Sequence, residues 1–272
     1  MFDLHTHTVF SFDGADNATP DAMCQSAIAL GITCLAITDH CDAGGEVGGI
    51  YRIYDRAAAY RAVSEVKERY RGRLRVLYGI ELGEATQAPE YAKKLLADYR
   101  FDFVLGSMHN LLGVPDFYYL NFSRADFPVA LLEELFSRYL TELTELCDFD
   151  GIHALAHLTY PLRYFAEGGK QINLSRFEEQ FRVLFEKMIG RGIALEINTS
   201  GLDKPLADTM PPVTLLRIYR ECGGKLVTVG SDAHCPSRVG FGIREAHRML
   251  SENGFDRVAV FSEGKPELLP TL

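Results

Sequence analysis

The chain has 272 residues, 47% of them hydrophobic, enough apolar surface for a full core without disulfide support. Its formal net charge is -9 and no stretch is strongly basic, which argues against a long nucleic acid as partner, although bound cations could reverse the sign locally. No run is long and apolar enough for a membrane span, and the N-terminus lacks the basic and apolar regions of a leader. The six cysteines (24, 34, 41, 147, 222 and 235) include no C-x-x-C pair, so a cytoplasmic protein with reduced thiols is expected.

In chain order, short apolar runs alternate with segments whose apolar residues recur at helical spacing. A strand at 2–4 leads to a helix at 20–30, a strand at 34–38 to a helix at 55–71, and a strand at 75–80 to a helix at 89–98. The pattern continues with strand 103–105 and helix 128–147, strand 152–156 and helix 175–190, strand 193–197 and helix 213–222, and strand 226–229 and helix 242–252. A last strand is expected at 258–261. The periodicity is clearest in Leu131, Leu132, Leu135, Phe136, Tyr139, Leu140 and Leu143. Strand–helix alternation implies a parallel sheet, and seven or eight such units favour a closed or nearly closed barrel over a doubly wound sheet. With no linker, repeat or low-complexity segment, a single domain over 1–272 is expected, with active residues at the carboxyl ends of the strands.

Six of the eight histidines fall where strands are expected to end. His5 and His7 straddle the end of the first, His40 follows the second, His109 the fourth, His157 closes the fifth, and His234 follows the seventh beside Asp232. Glu81 follows the third strand, and Glu196 and Asn198 end the sixth. Two residues apart on extended chain, His5 and His7 point to one side and can bind one metal. Imidazole with carboxylate suits zinc, manganese or iron. Any single histidine is more often a satisfied surface or core residue; six at equivalent positions are not. His153, four residues before His157, would lie about 13 Å away at ~3.3 Å per residue and is expected to be structural. His247, in Arg244-Glu245-Ala246-His247-Arg248, reads as part of a solvated helix face.

These residues resemble the polymerase-and-histidinol-phosphatase (PHP) superfamily. The matching motifs, in the family's order, are His5-Thr6-His7, Thr38-Asp39-His40, Gly79-Ile80-Glu81, Gly106-Ser107-Met108-His109, Ala156-His157 and Gly230-Ser231-Asp232-Ala233-His234. Within it, the chain is most similar to the bacterial histidinol-phosphate phosphatases, through Ser11-Phe12-Asp13-Gly14, Ala156-His157-Leu158 and the stretch from Leu195 to Leu202. The loop 110–121, with Phe117, Tyr118 and Tyr119, departs from that pattern. The resemblance implies a distorted (β/α)7 barrel holding two or three divalent ions (Zn, Mn or Fe). One ion would take His5, His7, Glu81 and Asp232; a second would share Glu81 with His109 and His157; a third would take Asp13, His40 and His234.

The implied activity is that of a phosphoric monoester hydrolase acting on a small phosphorylated substrate, L-histidinol phosphate, in histidine biosynthesis. Paired metals would activate a water and neutralise phosphoryl oxygens. Arg163, six residues after His157, is the first choice to grip the phosphate, and Arg238 the second. Asp232 is the candidate acid/base beside the leaving oxygen, with metal ligation an equal alternative, and Glu81 the carboxylate between metals. Glu196 and Asn198 would contact substrate or orient a ligand. The Gly-rich stretch 44–49 lacks the lysine of a P-loop and is expected to be a mobile rim loop. Two alternatives stand beside this. One keeps the chemistry on another small phosphomonoester or a nucleotide phosphodiester. The other is a non-catalytic metal-binding regulatory domain, against which intact ligands at every motif argue.

Overall fold

The structure, a computed structural model, describes residues 1–271. Its elements run β1 (Phe2–Asp3), α1 (Pro20–Ala29), β2 (Cys34–Ile37), β3 (His40–Asp42), α2 (Ala43–Val47), α3 (Arg56–Arg69), β4 (Arg75–Gly83), α4 (Pro89–Asp98) and β5 (Phe103–Ser107). The second half contains α5 (Val129–Leu146), β6 (Ala154–Leu155), α6 (Tyr160–Glu167), α7 (Glu178–Arg191), β7 (Ala194–Asn198), α8 (Val213–Glu221), β8 (Val227–Gly230), α9 (Ile243–Glu252), β9 (Arg257–Ser262) and β10 (Lys265–Pro270).

Residues such as Cys34-Leu35-Ala36-Ile37 and Val227-Thr228-Val229-Gly230 are buried at every position, which marks strands covered on both faces. They form one parallel sheet in the order β1-β2-β4-β5-β6-β7-β8. The ends meet: the Leu4 N–H donates to the Val229 carbonyl at 2.9 Å and the Asp232 N–H to the His5 carbonyl at 2.8 Å. A parallel bridge joins Thr6 to Ala233. The result is the nearly closed seven-stranded barrel that the strand–helix alternation implies, with helices outside and strand carboxyl ends on one rim. The close approach of β1 and β8 needs a glycine. A Cβ on Gly230 would stand 2.3 Å from the His5 Cβ and 2.5 Å from Glu196 Oε1.

Several elements differ from the sequence expectation. β3 is short and polar, so it carries no readable period; it exists because it pairs with β4, setting His40 opposite Glu81 and Asp42 opposite Gly83. The glycine-rich stretch is not a free rim loop, since its first half is the turn of helix α2. α6 is too short for a periodic signal; it starts at Tyr160 and carries Pro161 in its first turn, which the fixed φ of proline suits. The strand at 257–262 is real but does not extend the barrel. Glu263 and Gly264, both at positive φ, make a two-residue hairpin that pairs β9 with β10.

His247 is also displaced from its expected place. It is fully buried, on the α9 face formed by Ile243, Ala246 and Leu250, with its ring 5.8 Å from that of Phe2. The charged neighbours Arg244, Glu245 and Arg248 masked an apolar stripe at i, i+3, i+4 and i+7. Among the described residues no helix is long and apolar enough to cross a membrane.

Candidate metal centre and active site

Glu81 occupies the centre of the rim. Its Oε1 lies 2.7 Å from His157 Nε2 and 3.2 Å from His109 Nε2; its Oε2 lies 3.3 Å from His5 Nε2, 3.5 Å from His7 Nε2 and 3.1 Å from His40 Nδ1. Asp232 faces the first pair, with Oδ1 3.2 Å from His7 Nε2 and 3.7 Å from His5 Nε2. Asp13 faces the other side, with Oδ2 2.9 Å from His234 Nε2 and 3.6 Å from His40 Nε2. All nine residues expected as ligands therefore converge, but their groupings overlap: His40 falls with Glu81 and His109 as well as with His7 and His234, and His5 falls with Glu81 and His157 as well as with His7 and Asp232.

The donor chemistry fits metal ions. His5 Nε2, His7 Nε2, His40 Nδ1, His109 Nδ1, His157 Nδ1 and Glu81 Oε2 are buried and lack hydrogen-bond partners among the described residues. Buried polar atoms are rarely left in that state, so a cluster of them aimed at one another calls for a bound species. Imidazole nitrogen with carboxylate oxygen is the borderline donor set of zinc, manganese or iron.

The electrostatics of the metal-free chain agree. Burial alone would push His40 down, but Glu81 and Asp13 overcome it and carry it up to about 10. Burial opposes ionisation of Glu81 as well, yet His40, His5 and His109 hold its carboxyl well below the usual range. His7 goes the other way, to about 3, through burial and the neighbouring His234 and His40. Two ligands carry backbone strain: His157 and Asp232 have φ of 25° and 55°, uncommon for residues with a side chain and typical of sites over-determined by their surroundings.

Behind the ligands stands a shell of buried acids, most of it not anticipated from sequence. Glu196 Oε1 is 2.7 Å from His5 Nδ1, while its Oε2 accepts from the His157 N–H at 2.7 Å. Asp42 Oδ1 lies 3.5 Å from His40 Nδ1 and 3.4 Å from His109 Nδ1. Ser11 Oγ lies 3.1 Å from His7 Nδ1 and donates to Asp39, and Asp3 accepts from Ser231. Glu84, at φ 48°, accepts from the His109 N–H, and burial beside Asp42 pushes it up to about 8. Such outer carboxylates fix imidazole orientation and basicity. Of this shell, Glu196 was anticipated at its strand end; Asp42 carried a signal that went unread, two residues beyond His40 on the same strand face.

The candidates for substrate contact divide. Arg163, at the second turn of α6, lines the cavity above the cluster; its Nε is buried without a hydrogen-bond partner and its nearest acid, Glu167, is 3.6 Å away. Arg238 also lines the cavity, but Asp203 holds it bidentately at 2.7 and 3.0 Å. Glu196 and Asn198 are not placed for substrate contact. Both are buried behind the ligands, 1% and 0% exposed, where Asn198 Nδ2 donates to Glu196 and Asp232. Their expected position on the strand was right; the side chains point into the barrel rather than the cavity. His153 is remote from the cluster, accepting from the Val104 N–H at 2.9 Å and stacked between Phe103 and Phe261.

A parallel barrel whose strand ends gather six imidazoles and three carboxylates, four of the imidazoles lining a cavity of about 740 Å³, has the features of a metal-binding α/β barrel. The chain belongs to the PHP domain family, whose model matches residues 3–200. It is 31% identical to the probable histidinol-phosphatase of Clostridium acetobutylicum over 92% of each chain. It is 32% identical to the probable histidinol-phosphatase of Thermotoga maritima, covering 96% of this chain and 95% of that one. Among solved structures, the fold matches the histidinol phosphate phosphatase of Lactococcus lactis, crystallised with zinc, L-histidinol and phosphate, at a TM-score of 0.79 and 22% identity over 98% of each chain.

Proposed function

We propose that the protein is a metal-dependent phosphatase that hydrolyses L-histidinol phosphate to L-histidinol and phosphate, a step of histidine biosynthesis. The observation that carries this reading is the cluster of six histidines with Glu81, Asp232 and Asp13 beside a cavity on whose wall the Arg163 Nε is buried without a hydrogen-bond partner. Full-length similarity to proteins named histidinol-phosphatase supports the substrate.

Two or three divalent ions would be held by His5, His7, Glu81 and Asp232, by Glu81, His109 and His157, and by Asp13, His40 and His234. When bound, such ions polarise phosphoryl oxygens and make water a nucleophile at neutral pH. The protein's own groups do the rest. Arg163 grips the non-bridging oxygens, its planar fork matching phosphate geometry. Asp232 opens to the cavity, and although burial opposes its charge, His5 and His7 keep it ionised well below the usual range. Its place on the cavity wall, rather than that depression, which weakens it as a base, makes it the acceptor for the proton shed by the attacking water and the donor to the leaving alkoxide. Glu196 and Asp42 hold His5, His40 and His109 in register, so little reorganisation accompanies the reaction.

The test is steady-state turnover of L-histidinol phosphate against generic phosphomonoesters and a nucleotide phosphodiester, with enzyme of known metal content. A preference for histidinol phosphate supports the assignment; faster turnover of another ester moves it to that substrate, and no turnover of any leaves a binding protein.

A further inference from the structure

The cavity has a second pole, built by the loop 110–121. Phe117 is fully buried, packed against the rings of Phe122, Tyr139 and Phe165, and its N–H donates to the His109 carbonyl at 3.0 Å. The loop is thereby tied to the strand end that carries a metal-ligand candidate. Its preceding residue, Asp116, faces the cavity.

Asp116 is held entirely by neutral donors. Oδ1 accepts from the Tyr118 N–H at 2.8 Å and from the Tyr160 hydroxyl at 3.2 Å; Oδ2 accepts from the Tyr51 hydroxyl at 3.4 Å. The Tyr164 hydroxyl donates to that of Tyr160 at 3.0 Å, which steadies the set. Among the described residues no lysine, arginine or histidine nitrogen comes within the 4.0 Å of an ion pair. The cavity's other acids have partners: Asp203 is paired with Arg238, and Asp13, Asp42 and Asp232 lie against the rim histidines. Asp116 is therefore a fixed, partly desolvated carboxylate without a counter-ion, beside the tyrosine faces of residues 118, 119 and 164. A carboxylate so placed gains most from a ligand cation, and aromatic faces gain from the same charge.

We propose that Asp116 is the specificity residue of the site: its carboxylate accepts the alkylammonium of an amino-alcohol phosphate while Arg163 holds the phosphoryl group at the metal centre. This rests on the phosphomonoester reading above. An ammonium is charged at neutral pH, whereas an imidazole with an ordinary value near ~6.5 is mostly not. The ammonium is thus the group that a lone carboxylate selects. A neutral organic phosphate would be hydrolysed without that contact.

The experiment compares wild type, Asp116→Asn and Asp116→Ser with three esters: L-histidinol phosphate, O-phosphoethanolamine and p-nitrophenyl phosphate. Both variants keep an acceptor for the Tyr118 N–H, so the loop turn survives even if one variant folds poorly. The expected result is a drop of roughly ten- to a hundred-fold in kcat/KM for the two ammonium esters, carried mainly by KM. Turnover of p-nitrophenyl phosphate should stay within about twofold, with unchanged metal content. Equal loss on all three esters, or loss of metal, overturns the proposal in favour of a structural or ligating role; no loss on either ammonium ester overturns it outright. If wild type is inactive on histidinol phosphate but cleaves the other two esters, the substrate assignment fails by itself. The ratio of phosphoethanolamine to p-nitrophenyl phosphate turnover then decides the role of Asp116.

Discussion

Two populations of histidine share the interior of this barrel. The six on the rim, His5, His7, His40, His109, His157 and His234, face Glu81, Asp232 or Asp13 at ion-pair distance or stack on one another. The other two, His153 and His247, have no acid beside them: burial pushes His153 down to about 4, and burial with the charge of the N-terminal ammonium does the same to His247. Burial is common to both sets, so burial does not distinguish them. What differs is whether carboxylates compensate the desolvation. On the rim they do for His5, His40, His109 and His234, which neighbouring acids hold up, whereas His7 is carried down by burial and by the His234 and His40 beside it. At His247 neither ring nitrogen has a partner among the described residues, and the ring serves as packing.

The strongest way to break this comparison is to exchange the two roles. His157→Ala removes a ligand beside Glu81 and should cost metal and reduce turnover to near background, while His153→Ala keeps metal and activity. Metal analysis and kcat on variants with native circular dichroism decide it; the reverse pattern would sink the assignment. One step outward, Glu196→Gln leaves His5 without its acid partner and should cost roughly 10–100-fold in metal affinity or activity. Retention of both would reduce Glu196 to packing.

Arg163→Ala tests the cavity wall rather than the ligands. Loss of a charge-assisted hydrogen bond to phosphate costs about 1.5–3 kcal/mol, seen as a higher KM with metal content intact. An unchanged kcat/KM would return Arg163 to a surface role.

The last effect concerns stability and leaves activity alone. The folded state holds His247 at about 4, below its ordinary value of 6.5, so between those values the unfolded chain takes up a proton that the folded chain refuses. Stability is complete above 6.5 and falls as pH drops toward 4, by roughly 3 kcal/mol for the full shift. His247→Leu, similar in volume and apolar, should remove that component. Urea midpoints at pH 7 and 4.5 for both proteins check it. Equal acid sensitivity would mean that His247 is protonated in the fold.

The rim histidines were legible because they obey a rule that needs no partner residues: in alternating strand and helix, strand ends share one rim, and residues two apart share a side. Periodicity alone therefore located Glu81 and the ends carrying His40, His109, His157 and His234. Helices α1, α3, α4, α5, α7 and α8 were legible from their own period, whereas α9 was placed without its buried face being seen. What pairwise proximity creates was not legible. β3 exists only beside β4, and β9 joins a hairpin rather than the barrel because of the Glu263–Gly264 turn. His247 was misplaced because charged neighbours in sequence are not its neighbours in space.

The sequence by itself determined the architecture and the rim on which six histidines and Glu81 gather, because backbone period and strand order are local properties that carry through the chain. Only the tertiary structure decided that Glu196 backs His5 across 191 residues, that Asp42 lies between His40 and His109, and that Asp116 faces the cavity with no cation beside it. A carboxylate's role depends on which charges and donors surround it within a few ångströms, and that distance is set by packing between segments far apart in the chain.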